Sequence, residues 1–467
     1  MTEKPSDASQ SPARSTRKPA RSSRFTRAAA RRSSRRAARL PFGRRGVGPL
    51  LALVAVAVAA LNLRPGISSL GPVLGTVLEE FGVSSSAGGL LTAIPGLCFA
   101  VLGVLAVPIG RRLGLSGAVM VGFAVLVLGI LARPFVGSIW LFAGCTILIA
   151  GGIALGNVLL PAWIKRHGGE RTVRLMTLYT TLLGLGGAVG PLSALLVRAG
   201  DREPIEVLGL AAWQSALLIW VVAAAAAAVV WAAVWATTRY DFPADPPSPD
   251  GARPVRVPLW RSSTARWMML MFGLQSMQAY VQMGWMPVMM MDAGISSVVA
   301  VWTVFVTNGL GMVGGVVMPT VIHRSRRLAP IIASFGLLTA AGYGAVLLLI
   351  AVGADGFGDS AALVALVCAL ILGVGGWSFP TAIAMIPARS HDPAVTARLS
   401  GFVQPIGYLL AAAGPFLVGV GIDRIGSWPP VITALVVAGF ALAFAGWRSA
   451  SGAFVDDQLA EVADARS

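Results

Sequence analysis

From residue 48 to residue 448 the chain is a succession of long apolar runs separated by short polar gaps. Twelve runs can be drawn: 48–79, 87–110, 115–134, 138–165, 173–198, 207–237, 265–291, 297–321, 328–352, 360–388, 395–420 and 428–448. A helix needs about 20 apolar residues to cross a bilayer, and each run has that length or close to it. Only helices and closed barrels satisfy their own backbone groups in hydrocarbon, and barrel strands would alternate apolar with polar residues. These runs do not alternate; "LLALVAVAVAAL" is apolar throughout. The pattern predicts an all-α membrane protein with twelve transmembrane helices, and the bilayer as its surroundings.

The two halves of the pattern repeat. The second run ends in "VPIGRRLG" and the eighth in "MPTVIHRSRR"; Pro108 and Pro319 lie 211 residues apart, each followed by a basic cluster. The fifth and eleventh runs match at an offset of 224, pairing Arg174 with Arg398 and Gly190-Pro191 with Gly414-Pro415. Between the halves lies a Pro-rich polar stretch, "DFPADPPSPDGARPVR", which reads as a linker. The expected organisation is a basic disordered cytoplasmic tail over 1–46, a six-helix bundle over 47–238, a cytoplasmic linker over 239–264, a second six-helix bundle over 265–449 and a cytoplasmic tail over 450–467. Two pseudo-symmetric six-helix bundles joined in this way are the plan of the major facilitator architecture, in which substrate sits near the midplane between the halves.

Composition agrees with membrane embedding and charge adds orientation. Of 467 residues, 56% are hydrophobic and only 12% charged, about half the charged share of a soluble domain. The net charge is +17, with fourteen of the 37 basic residues in the first 45 positions. A tail of that kind sets topology and meets anionic lipid; nucleic acid is not an expected partner. With the N-terminus cytoplasmic, eighteen further basic residues fall in cytoplasmic loops or the C-terminal tail. Only Arg133, Arg198, Arg202 and Arg424 fall on the opposite side. This is the positive-inside bias, and it predicts a bacterial inner-membrane protein with both termini cytoplasmic.

One basic residue belongs to neither side. Arg64, in "AALNLRPGISSLGP", lies about 24 Å along the first helix at ~1.5 Å per residue, where a charge costs at least ~2.5 kcal/mol. None of the twenty acidic residues falls near the midplane to pair with it. Its planar fork suits a carboxylate, cyanate or similar anion, and this makes Arg64 the main candidate for substrate binding. Pro65 removes a backbone donor and loosens the helix, and Asn62, Ser68 and Ser69 add polar groups. In the seventh run Gln275, Gln278 and Gln282 recur at helical spacing. Gln275 and Gln278 read equally well as substrate ligands or as interhelical hydrogen bonds, and Gln282 reads better as packing. Tyr280 and Trp285 could line or gate the cavity; Tyr179, Trp377, Gln404, Tyr408 and Asn157 could line it or simply pack. "GLGMVG" at 309–314 fits a dinucleotide-binding spacing, but no strand precedes it; its glycines read as close helix packing. Cys98, Cys145 and Cys368 lie far apart in apolar runs, with neither metal-ligand nor disulfide spacing. No cofactor or metal motif appears, and no arrangement of an enzyme active site.

At "LNLRPGISSLGPVLG", "GLQSMQAYVQMGWMP" and "LSGFVQPIGYLLAAAGPFLVGVGID" the chain resembles the cyanate permease and 2-nitroimidazole transporter family of the major facilitator superfamily, over residues 48 to 448. The resemblance implies a secondary active or facilitative transporter that works by alternating access, with small anions or nitroheterocycles as substrates. One chain contains both halves and need not assemble, so a monomer is the expected working unit. The loop after the second helix departs from the wider pattern, because Pro108 to Arg112 contains no acid. The other reading is a broad-specificity efflux transporter for neutral drugs or metabolites.

Overall fold

A computed structural model describes residues 47–197, 209–242, 257–325 and 327–464. The described residues belong to one compact unit within Gly46–Ser467. The basic tail, most of the linker, Arg198, Arg202, Arg326 and the last three residues lie outside the described residues. Every regular element among the described residues is a helix. The spans are α1 (Pro49–Glu80), α2 (Ser85–Leu113), α3 (Leu115–Phe135), α4 (Ile139–His167), α5 (Gly169–Leu196), α6 (Ala212–Thr238), α7 (Ser263–Asp292), α8 (Ser297–Arg324), α9 (Leu328–Val352), α10 (Ala354–Ala388), α11 (Val395–Ile425) and α12 (Trp428–Ser451). A short helix, α13 (Val455–Asp464), follows.

Eleven of the twelve spans are both long and apolar enough to cross a membrane. The twelfth, α7, has 30 residues, about 45 Å of helix and ample to cross, but its glutamines and serines dilute its apolar character. It tolerates them because it is enclosed by protein. Both ends of α7 and most of its middle are buried, packed against α8, α11 and α12, so few of its polar groups meet lipid.

The halves meet mainly through α2 against α11 and α5 against α8. The repeat relates α2 to α8 and α5 to α11, so these two contacts are images of each other. On the side away from the linker, one hydrophobic core runs through both halves, from Leu74 and Phe142 to Trp285, Tyr343 and Ile432. Toward the linker side there are two further cores, one around Trp163 and Trp231 in the first half, which reaches Tyr280, Met283 and Ala411 of the second at its inner end, and one around Phe272 and Leu399 in the second. The molecule is therefore closed on the far side and parted on the linker side.

Polar groups finish the linker side of each half. Asp241, just past α6, accepts hydrogen bonds from Ser116 N (2.9 Å) and Ser116 Oγ (2.6 Å) and meets His167 Nε2 at 2.9 Å. The α2–α3 turn, which has no acid of its own, receives one from the end of the half. Burial pushes the Asp241 carboxyl up, but the hydrogen bonds from His167 and Ser116 outweigh it and hold the carboxyl below the usual range. The C-terminal segment, read from sequence as a tail, includes α13, which is fastened to the second half. Asp456 accepts from the N–H groups of His391 and Asp392 (2.9 and 3.0 Å), and Gln458 Oε1 accepts from Ser262 Oγ at 2.6 Å.

Candidate functional site

α1 is interrupted halfway along its length. Regular helix ends at Asn62, Leu63 and Arg64 leave it, and helix resumes at Pro65–Ser68. The cause is local. Pro65 has no N–H to give the Leu61 carbonyl, and the backbone swings out at Arg64 (φ −135°, ψ −41°). The Arg64 carbonyl then accepts from both Ile67 and Ser68 N–H at 3.0 Å. α5 accommodates the loosened segment through Gly186 and Gly190, one turn apart. A Cβ at Gly186 would collide with the Leu61 oxygen, and one at Gly190 with Ser68 Oγ. Small residues four apart are what let two backbones approach inside a membrane.

From this break the Arg64 side chain passes over Gly187 onto the wall of a cavity of about 360 Å³ between the halves. The cavity is walled by Arg64, by Thr180, Leu183, Gly184 and Gly187 of α5, and by one face of α7 comprising Gln275, Ser276, Ala279, Tyr280, Gln282 and Met283. Thr307, Asn308, Met312 and Val316 of α8, Phe379 and Ile383 of α10, and Tyr408 of α11 complete it. The lining extends toward the starts of α5 and α7 and the ends of α8 and α10, which is the linker side. No carboxylate lines it, and among the described residues the Arg64 guanidinium has no hydrogen-bond or ion-pair partner. Gln275 Oε1 accepts from Ser378 Oγ, which fixes the amide with its nitrogen unspent. Asn308 Nδ2 donates to Gly187 O at 3.1 Å and ties the halves together beside Arg64. Tyr408 is held by Phe99, stacked at 5.2 Å, and by the edge contact with Phe272 at 5.1 Å.

Beyond the cavity the far side is shut. Gly71 of α1 lies on the Met283 carbonyl of α7. Trp285 Nε1 donates to Pro415 O at 3.1 Å and meets Trp428 edge-on at 6.0 Å. At the rim, Asp423 of α11 accepts from the N–H groups of Ser85 and Ser86 at 2.8 and 2.7 Å, capping the start of α2 from the other half.

Of the ten candidates drawn from sequence, the structure brings Arg64, Gln275, Tyr280 and Tyr408 together on this wall. The other six sit elsewhere. Asn62 Nδ2 donates to Val58 O (2.8 Å) and Ala223 O (3.1 Å), fastening α1 to α6. Gln278 Nε2 donates to Leu435 O (3.2 Å) on α12, and Trp285 belongs to the far-side closure. Gln404 bonds Ser400 on its own helix (3.0 Å), Tyr179 donates to Asn157 (3.2 Å), and Trp377 donates to Leu310 O (2.9 Å). Gln282, expected to pack, borders the wall, but its Nε2 is enclosed in the protein and unpartnered. Gln282 is seven residues from Gln275 and about 20° from it around the helix, whereas Gln278 is about 60° away, so spacing alone separates them once the inward face is known. Asn308 and Thr307 were not singled out from sequence; a polar pair inside an apolar span was the available signal. "GLGMVG" lies in mid-α8, where Gly314 abuts the Trp377 ring. Arg133, which charge counting assigns to the far side, stands in the last turn of α3. It is fully buried, at 0% exposure.

The profile of the Major Facilitator Superfamily matches residues 50–415, and the chain belongs to this family of membrane transporters. It is 32% identical over 83% of its length to an uncharacterised transporter of Bacillus subtilis (strain 168), 90% of which is covered. It is 30% identical over 86% of its length to the 2-nitroimidazole transporter of Escherichia coli (strain K12), with 95% of that protein covered. Similarity to the cyanate transport protein of the same organism is 25% over 79% of this chain and 89% of that one. Among solved structures, a bacterial homologue of the human lysosomal transporter Spinster, inward-facing and unoccupied, superposes with a TM-score of 0.62. That match covers 89% of this chain and 96% of the other at 15% identity, and it speaks to the fold alone.

Proposed function

We propose that this multi-pass transporter carries a small anion, or a flat solute with a delocalised negative edge such as a nitroheterocycle, by alternating access between its halves, and that Arg64 is the binding group. The observation that carries this reading is an unpaired guanidinium on the wall of a cavity without carboxylates, about halfway along α1. Charge-assisted hydrogen bonds from Arg64 and the unspent amide nitrogen of Gln275 would hold the negative edge. Tyr280 and Tyr408 would cover its faces. Neutralising Arg64 lowers the cost of enclosing it in a low-dielectric site, which is the condition for the halves to rock across. Relatives named for cyanate and 2-nitroimidazole support this substrate class. With the linker and both termini cytoplasmic in a bacterial inner membrane, as the positive-inside bias supports, the cavity faces inward. One chain holds both halves and would work as a monomer.

The walls also present Leu183, Met283, Met312, Val316, Phe379 and Ile383, and this apolar majority favours a second reading, export of neutral compounds. Thermal stability of the purified protein against cyanate, 2-nitroimidazole and neutral analogues separates the two. A ligand of the folded state at ~100 times its Kd adds ~2.7 kcal/mol. Stabilisation by an anion that is lost in Arg64→Gln supports the anion reading. An equal response in both proteins, or stabilisation by neutral compounds alone, overturns it.

A further inference from the structure

A second buried arginine lies beyond the closed end of the cavity. Arg133 ends α3, and its guanidinium reaches under the α1 break, where Nη1 donates to Gly66 O at 3.1 Å. Its carbon lies 5.5 Å from the centre of the Phe142 ring. Nε and Nη2, which share one edge of the guanidinium, have no partner, and among the described residues no carboxylate pairs with it. Arg133 borders a small cavity of about 20 Å³, walled also by Gly66, Thr92, Thr146, Tyr280 and Met283. Tyr280 and Met283 line the large cavity too, so they form the partition between Arg64 and Arg133.

We propose that Arg133 forms a second anion site that takes one inorganic anion of halide size in the linker-open state. The volume is enough for a water or a single small ion and too small for a nitroheterocycle. Charge decides between water and ion. Thr92 donates to Gly88 O and Thr146 to Phe142 O, so of the side chains on this wall with a donor to spare, Arg133 carries a charge and Tyr280 only a neutral hydroxyl. A water would occupy the free N–H groups and leave the cation uncompensated at high cost; a halide occupies them and neutralises it. Because Arg133 also holds Gly66 O, two residues beyond Arg64, the anion is tied to the broken turn and to the closed far side. The site stands whatever Arg64 binds.

The test is thermal melting of the purified full chain in sodium chloride or sodium bromide against equal sodium gluconate. The midpoint should rise with halide concentration and saturate. The rise should be lost in Arg133→Gln, weakened in Arg133→Lys, which keeps the charge but not the fork, and retained in Arg64→Gln. A halide response lost in Arg64→Gln and kept in Arg133→Gln would put the ion in the large cavity and overturn the proposal. Absence of any halide response in the wild type would also overturn it. Should Arg133→Gln fail to fold, crystals of the wild type in bromide decide: an anomalous peak beside Nε and Nη2 supports the site, and its absence there overturns it. Failure of the Arg64 reading shows separately, in the response to cyanate and 2-nitroimidazole.

Discussion

α1 and α7 occupy matching places at the head of each half, yet they solve the problem of a polar site in a membrane in opposite ways. α1 is strongly apolar, carries one charge at its centre, and breaks its backbone to present it. α7 carries no charge at its centre, keeps its helix unbroken for 30 residues, and spreads polarity over three glutamines. Each arrangement has its own supporting neighbours. The break in α1 depends on the glycines of α5, which receive an exposed backbone. The glutamines of α7 depend on enclosure, because an amide turned to lipid would cost more than it returns. Arg64 and Gln275, 211 residues apart like Pro108 and Pro319, are matched by the repeat yet need not share chemistry: the fold supplies two facing stations, and the sequence makes one a cation and the other a hydrogen-bonding wall.

The hardest blow to this asymmetry is to move the arginine across it. Arg64→Gln should abolish anion uptake into proteoliposomes. Adding Gln275→Arg should not restore it, since position 275 is pinned to Ser378 and α7 has no loosened turn. Uptake in the double variant would show that any cation in the cavity suffices. Next in size is the support for the break. Gly186→Val must displace the Leu61 carbonyl, and overpacking of this kind costs about 1–3 kcal/mol or more. Gly187→Ala, whose added carbon would sit 3.7 Å from the Arg64 stem, should be tolerated. Melting curves of the pair check this, and equal melting of both variants would break the account of the turn.

A smaller effect divides the glutamines of α7. Gln278→Leu removes the bond to Leu435 and should lower stability by about 0.6–1.7 kcal/mol with anion response intact. Gln275→Leu should weaken anion response instead. The reverse pattern in a joint melting and ligand titration would exchange their roles. The smallest effect lies outside the membrane. The Asp241 carboxyl is held below its usual range in the folded protein. Its stabilising contribution is therefore fully present above the unfolded value near 4 and is lost as pH falls through the folded value. Asp241→Asn should remove that part of the acid dependence, seen as a shallower fall in melting temperature below about pH 4.

Much of this molecule was legible in one dimension. The twelve spans follow from run length, and the interruption of α1 follows from Pro65. The isolation of Arg64 follows from a census of carboxylates, since charge pairing inside a bilayer is too consequential to leave no trace in composition. Arg133 was not legible, because an arginine followed by proline at the end of an apolar run looks the same whether it caps a helix in solvent or turns back beneath a neighbouring one. Nor could spacing say which line of α7 faces inward. Gln275 and Gln282 fall on the cavity and Gln278 on α12, but a helix read alone has no inside.

What the sequence determined by itself is therefore what periodicity and solvation determine: helical spans and their number, the doubled plan, the broken turn and a buried cation without a partner. The tertiary structure alone decided which polar side chains share a cavity, that the far side is closed and the linker side parted, and that a second arginine is enclosed beyond the partition. The physical reason is that solvation acts on each residue through its own surroundings and is written along the chain. Rotation of a helix about its axis is set by the neighbours it packs against, and those neighbours come from distant parts of the sequence.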